Sequence, residues 1–483
     1  MKRSNSTSGL AKALVLAALF GAVGCSQGES RPNVILVVVD TLRADHTSLG
    51  TYQRDTTPEI SEYFAGGTVF ESASTTSSWT LPSMAMTFTG AYRLANEGDL
   101  GEDEKTLSVA FQAAGYQTGA VVANPLLGPY KRTNPQTKVR TVVDPGFGQG
   151  FDFFDVTPPW KNHQEHNWYA RELVNRGTSW VDSKATGDRP FFLWLHFFDP
   201  HFPRDPQLAD SLPPLSSPAR FESFEAAVRP SSRHLFTEDV YRGIEEEIAK
   251  YDEEVLGVDA AMGDLFTWLE ATGLAENTIV VFTSDHGEGL WTRARLSGEV
   301  PKKSNPFPPL YDDHGTQVYS EQVHVPLALS GPGIASGLRV KDSISLIDLA
   351  PTLYELCDLP YEPEHSGRSL LQEDRFGSLA EPSEVFSICS RSLSLTLEGR
   401  WRLHLPAAFR RDEQGALPEL YDLSVDPLEL QTVDDPARIA AMSARIETFG
   451  ESLAGIQSGG AKRTEAERAA RRELLDSLGY IDQ

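Results

Sequence analysis

From Pro32 onward, short apolar runs alternate with segments of helical period, the pattern of β-α-β units around a mainly parallel sheet. Asn33 to Val39 (NVILVVV) is a continuous β-branched run of the kind buried on both faces. Pro190 to Phe197 and Thr278 to Thr283 share that character, and Gln117 to Ala123 and Val325 to Ser330 are predicted as further strands. Helical period runs over Thr106 to Ala114 before Gly115, over Tyr241 to Thr272 before Gly273, and over Ser345 to Cys357. Pro203 to Arg233 and Arg293 to Asp313 are polar and Pro-rich, and read as long functional loops. Past Gly377 the texture changes to short alternating strands at Val385 to Cys389, Leu393 to Leu397 and Trp401 to Leu405. Ala461 to Leu478 reads as a charged helix. The expected fold is α/β, with a mainly parallel central sheet over 32–376, a small antiparallel α+β subdomain over 377–460 and a C-terminal helix in 461–483.

Charge narrows the function classes. With 43 basic and 68 acidic residues the net charge is −25, which excludes nucleic-acid binding and unaided docking on anionic lipid. An anionic substrate would need a local metal or basic pocket. The first residues form a separate unit: Lys2 and Arg3 precede an apolar stretch from Leu10 to Val23, shorter than the roughly 20 residues that span a bilayer. Ala22-Val23-Gly24-Cys25 is similar to a bacterial lipobox, so residues 1–24 are expected to be a lipoprotein signal peptide, Cys25 a lipid anchor and 25–31 a linker. The expected location is the bacterial envelope, with the membrane reached through that anchor only. Cys357 and Cys389 are too few for a disulfide framework and exclude a thiolate metal cage.

Candidate chemistry collects at the ends of three apolar runs. The first stops at Asp40, the second is followed by His196, Asp199 and His201, and the third stops at Asp285-His286-Gly287-Glu288. Ligands of open parallel sheets bind at the carboxyl ends of the strands, so these deliveries converge on one edge. Asp40, Asp285 and His286 offer two anionic oxygens and one imidazole, a set for a divalent metal such as zinc, manganese or calcium. Within TTSSWTLPSMAMTFTG, Pro82 suits a first helical turn, which puts Thr80 just before a helix. There it could serve as an N-cap or as a nucleophile favoured by the helix N-terminus.

Several segments resemble the sulfatase family of the alkaline phosphatase superfamily: VILVVVDTLRADHTSLGTY, TLPSMAMTFTG, FFLWLHFFDPHFP, YDEEVLGVDAAMGDLFTWLE, TIVVFTSDHGEG and HGTQVYSEQVHVPLALSGPG, with ELYDLSVDPLELQTV and LGYI near the end. The resemblance spans nearly all the chain after the leader and implies a sulfatase-like sandwich. It also implies that Asp40, Asp285 and His286 hold the metal and that Thr80 occupies the nucleophile position of the C/S-x-P-S-R motif. His201 would contact the transferred group, and His314 would bind substrate or protonate the leaving group.

Three residues depart from that pattern: Thr80 replaces the Cys or Ser precursor of formylglycine, Met84 replaces the motif's Arg, and Thr41 replaces a second Asp beside Asp40. A hydrated aldehyde expels sulfate by collapsing to the carbonyl, which an unmodified Thr cannot do. A phosphorylated Thr can be resolved by water attacking phosphorus. The expected reaction is therefore hydrolysis of a phosphodiester, phosphonate ester or phosphomonoester. Sulfate-ester hydrolysis, a phosphoethanolamine-type transferase and a non-catalytic surface binding lipoprotein stand as alternatives.

Overall fold

The computed structural model describes residues 31–455 apart from 51, 94–97, 102–103, 134–139, 158–168, 185–188, 207–211, 213–233, 235–236, 295–304, 361–365, 372–382, 390–391 and 407–416. The leader, Cys25, most of the loop from Pro203 and the helix expected over Ala461 to Leu478 lie outside the described residues.

Eight strands build the main sheet: β1 (Asn33–Val39), β2 (Thr68–Ser74), β3 (Gln117–Val122), β4 (Phe153–Val156), β5 (Phe191–Phe197), β6 (Thr278–Ser284), β7 (Leu327–Ser330) and β8 (Leu338–Ser345). Their spatial order is β8-β2-β7-β6-β1-β5-β3-β4. All neighbours run parallel except β7, antiparallel to both β2 and β6. β1 lies at the centre with every residue buried, as its unbroken apolar run requires. Its register pairs Val39 with Phe197 of β5 and with Ser284 of β6, so the three strands end level. β2 and β8 are strands that apolar runs alone did not reveal, because both carry polar residues such as Glu71 and Asp342.

Helices cover the sheet. α1 (Pro58–Phe64), α2 (Thr80–Thr89), α3 (Leu107–Ala113), α4 (Ala170–Lys184) and the long α5 (Glu238–Thr272) are followed by α6 (Leu349–Leu356) and α7 (Pro436–Gly455). α5 starts where the Thr237 side chain accepts from the Val240 N–H and ends at Gly273 in the left-handed region. Its stripe of Ile244, Tyr251, Val255, Val258, Met262, Leu265 and Leu269 is buried. α2 is buried along its whole length and stops at Gly90, again left-handed. Met84 of α2 belongs to the main apolar core and Met86 to a second cluster under the small sheet. That sheet comprises antiparallel β9 (Glu384–Ile388), β10 (Ser392–Leu397) and β11 (Trp401–Pro406), as the alternating C-terminal pattern predicts, and a fourth strand it did not reveal, β12 (Glu419–Asp422). Both sheets belong to one compact unit that begins at Pro32. The loop expected over Arg293 to Asp313 contains a two-stranded ribbon, Arg293–Ala294 against Leu310–Tyr311.

Candidate active site

The level ends of β1 and β6 put Asp40 and Asp285 side by side, and the Asp40 N–H extends the ladder to the Phe197 carbonyl (3.0 Å). His286 Nε2 lies 3.7 Å from Asp40 Oδ1 and 3.5 Å from Asp285 Oδ2, with all three side chains fully buried. The ring is held by its other nitrogen: Nδ1–H donates to the Gly287 carbonyl at 2.9 Å, which leaves the Nε2 lone pair facing the carboxylates. Burial pushes the pKa of His286 down to about 4, so the imidazole is neutral at pH 7 and able to bind a cation.

Each carboxylate is tethered through one oxygen. Asp285 Oδ1 accepts from the backbone N–H groups of Thr41 (3.2 Å) and His286 (2.8 Å), and Asp40 Oδ2 accepts from Asn124 Nδ2 at 2.7 Å. The remaining Asp40 Oδ1 and Asp285 Oδ2 are buried without a hydrogen-bond partner. Burial first, and then the charge of Asp285, pushes the Asp40 carboxyl well above the usual carboxylate range. Two orphaned anionic oxygens beside a neutral imidazole fit a divalent cation, which would remove both penalties at once.

Thr80 joins this cluster through its side chain. The N-cap of α2 is Trp79 rather than Thr80, and that cap makes no side-chain hydrogen bond. Thr80 is the first residue of the helix, and its Oγ1 lies 3.1 Å from His286 Nε2. The capping alternative is therefore corrected: the hydroxyl turns from the helix toward the Asp-Asp-His set. Ser83, one turn on, donates to the Asp285 carbonyl at 2.6 Å and pins α2 to the end of β6. Met84 is 1% exposed in the apolar core and contributes no charge to this site.

The two remaining candidate histidines flank the cluster. The His314 ring centroid lies 4.4 Å from that of His286 and 5.2 Å from that of His201. His201 directs Nδ1 to the Phe202 carbonyl. Asp199, on the same loop, caps α4 by accepting from the Ala170 N–H at 3.0 Å. Glu288, Asp313 and His314 form a second group whose ligand atoms lie within 4.8 Å of one another. Sequence reasoning missed Asn124, whose Oδ1 also caps a short turn by accepting from the Leu126 N–H, and which follows β3 at the same sheet edge. It also left His196 without a role. That residue is buried in β5, with Nε2 3.8 Å from Asp285 Oδ2.

The sulfatase family model matches residues 32–359. The chain belongs to the sulfatase family, within the alkaline phosphatase superfamily. Arylsulfatase K of Bos taurus is 25% identical over 471 residues, covering 83% of this chain and 78% of that protein. An ulvan-active sulfatase of Formosa agariphila is 24% identical over 370 residues, covering 71% and 64%. Phosphonate monoester hydrolase of Agrobacterium radiobacter shares the fold, with a TM-score of 0.59 at 18% identity over 88% of this chain and 96% of that one. This sulfatase-family chain is thus an ester-hydrolysing enzyme, in a fold that carries both sulfatases and phosphonate monoester hydrolases. Among the described residues, no helix is long and apolar enough to cross a membrane.

Proposed function

We propose that this enzyme cleaves a phosphodiester or phosphonate ester with Thr80 as nucleophile. The reading is carried by Thr80 Oγ1, 3.1 Å from His286 Nε2 at the start of α2. Asp40, Asp285 and His286 would hold the divalent cation, which when bound draws charge from an ester oxygen and favours the Thr80 alkoxide. Thr80 Oγ attacks phosphorus as the bond to the leaving oxygen breaks. The electron pair departs with that oxygen, which takes a proton from His314. Water then attacks phospho-Thr80 and gives its proton to His314, and the bond from phosphorus to Oγ breaks to release the product and restore the Thr80 alkoxide. His201 orients the anion. A threonine without an aldehyde supports phosphorus over sulfur, because release of its ester needs attack at the central atom.

Comparing kcat/KM on aryl sulfate, aryl phosphodiester and aryl phosphonate monoester tests this reading, together with the mass of the peptide containing residue 80. The expected result is phospho- or phosphonate-ester preference and a trapped phospho-Thr80. Sulfate preference would overturn it in favour of the second reading, sulfate-ester hydrolysis, which the likeness to arylsulfatase K supports. Export with lipid attachment at Cys25 completes the proposal, and the mass of the mature N-terminal peptide decides it.

A further inference from the structure

Glu288 closes the segment Asp285-His286-Gly287-Glu288 but is not part of the Asp-Asp-His set. Its Oε1 lies 3.2 Å from His314 Nδ1, with both side chains buried. A carboxylate accepts, so Nδ1 carries the proton and Nε2 occupies the far side of the ring. Two further contacts hold the carboxylate still. The Gly289 N–H donates to Oε1 at 3.3 Å, and Arg204 Nη2 lies 3.6 Å from Oε2. Arg204 is itself fixed, its Nε donating to the Pro200 carbonyl at 3.2 Å and its guanidinium lying 5.3 Å from the Tyr251 ring centroid. A cation, a carboxylate and an imidazole thus form a buried chain, with the imidazole 4.4 Å from the ring of His286, the residue that meets Thr80.

We propose that Glu288 is a positioning residue, holding His314 with Nδ1–H on its carboxylate and Nε2–H turned to the leaving-group oxygen. This rests on the reading of His314 as proton donor and deepens it. As the Thr80 Oγ–phosphorus bond forms and the ester bond breaks, the leaving oxygen takes the Nε2 proton while Nδ1–H stays on Glu288. When water attacks in the second half, the same tautomer presents the Nε2 lone pair to accept its proton. An acid that must be aimed matters most for a poor leaving group, because a good one departs without help.

The test uses metal-loaded enzyme and two methylphosphonate monoesters that differ only in the leaving group, phenyl and 4-nitrophenyl. His314→Ala should lose about 10²-fold on the phenyl ester and far less on the nitrophenyl ester. Glu288→Ala should show the same bias at about tenfold, Glu288→Gln should recover part of it by keeping an oxygen acceptor, and the double variant should be no worse than His314→Ala. Metal content should match the wild type in each. Equal losses by Glu288→Ala on both esters, an additive double variant, or loss of metal from Glu288→Gln would overturn the positioning role. If His314→Ala itself shows no leaving-group bias, the proton-donor reading falls and the inference with it. A biased His314→Ala beside an unbiased Glu288→Ala sinks the inference alone.

Discussion

Two buried clusters of charge in this molecule are completed in opposite ways. At the junction with the small sheet, Arg293 binds Glu321 through two nitrogens (2.6 and 3.0 Å), donates to the Glu429 and Leu428 carbonyls, and lies 3.9 Å from the Tyr319 ring centroid. Glu429 there accepts from His404 (2.7 Å) and the Ser320 N–H (2.6 Å), with Arg402 at 3.7 Å. Each of these carboxylates faces a cation. At the ends of β1 and β6, Asp40 and Asp285 form no ion pair with Arg or Lys among the described residues, and each leaves one oxygen unpartnered. In the first cluster the protein itself supplies a basic partner for each carboxylate, as a structural network requires. The second leaves two anionic oxygens that a divalent cation would satisfy, which is how a candidate site differs physically from an ion-pair network of equal burial.

The largest effect expected is on activity. Thr80→Ala should lower kcat/KM about 10³-fold or more, whereas Arg293→Met, with folded protein compared at low temperature, should change it little. Equal losses would erase the functional contrast between the clusters. Stability reverses the order: Arg293→Met strands Glu321 and should cost about 3–5 kcal/mol in denaturant unfolding, far more than Thr80→Ala. The acid limb sharpens this further. Burial disfavours the Glu429 carboxylate, but His404 and Arg402 outweigh it and hold its pKa well below the ordinary 4.5. The unfolded chain then binds the extra proton, so this stabilisation is present above about pH 4.5 and lost as pH falls toward the folded value. Glu429→Gln should flatten the fall in melting temperature below that pH. An unchanged acid limb would show that the network contributes nothing there.

Smaller effects probe the unfinished cluster. Asn124→Ala releases Asp40 Oδ2 and should weaken metal binding about 10–100-fold by titration calorimetry. Unaltered affinity would remove Asn124 from the site. Smallest, and opposite in sign to the Arg293 variant, Asp40→Asn should stabilise metal-stripped protein by about 1 kcal/mol, by removing a buried charge with an unmatched oxygen. Destabilisation there would mean that the two carboxylates are already balanced by the protein alone.

Much of this was legible along the chain, for an identifiable reason. β1, β5 and β6 are buried on both faces, so their sequences are unbroken apolar runs, and a charged residue at the end of such a run stands out. The alternating strands β9, β10 and β11 of the small sheet were equally plain. β2 and β8 were not, because their polar positions break the run. Asn124 escaped notice because Asn before Pro125 is also a common cap, and Asp40, which it serves, is 84 positions away. The pairings of Glu288 with His314 and of Arg293 with Glu321 were invisible for the same reason: charge type is written locally, but partners are chosen by packing.

By itself the sequence determined the mainly parallel α/β architecture, the delivery of Asp40, Asp285 and His286 to one sheet edge, and the presence of Thr rather than Cys or Ser at position 80. Only the tertiary structure decided what the Thr80 hydroxyl faces. Its spacing from Pro82 suits a cap or a nucleophile alike, since both sit at a helix start. Burial of α2 against the end of β6 turns Oγ1 to His286, 206 positions later, where a local hydrogen-bonding rule has no reach.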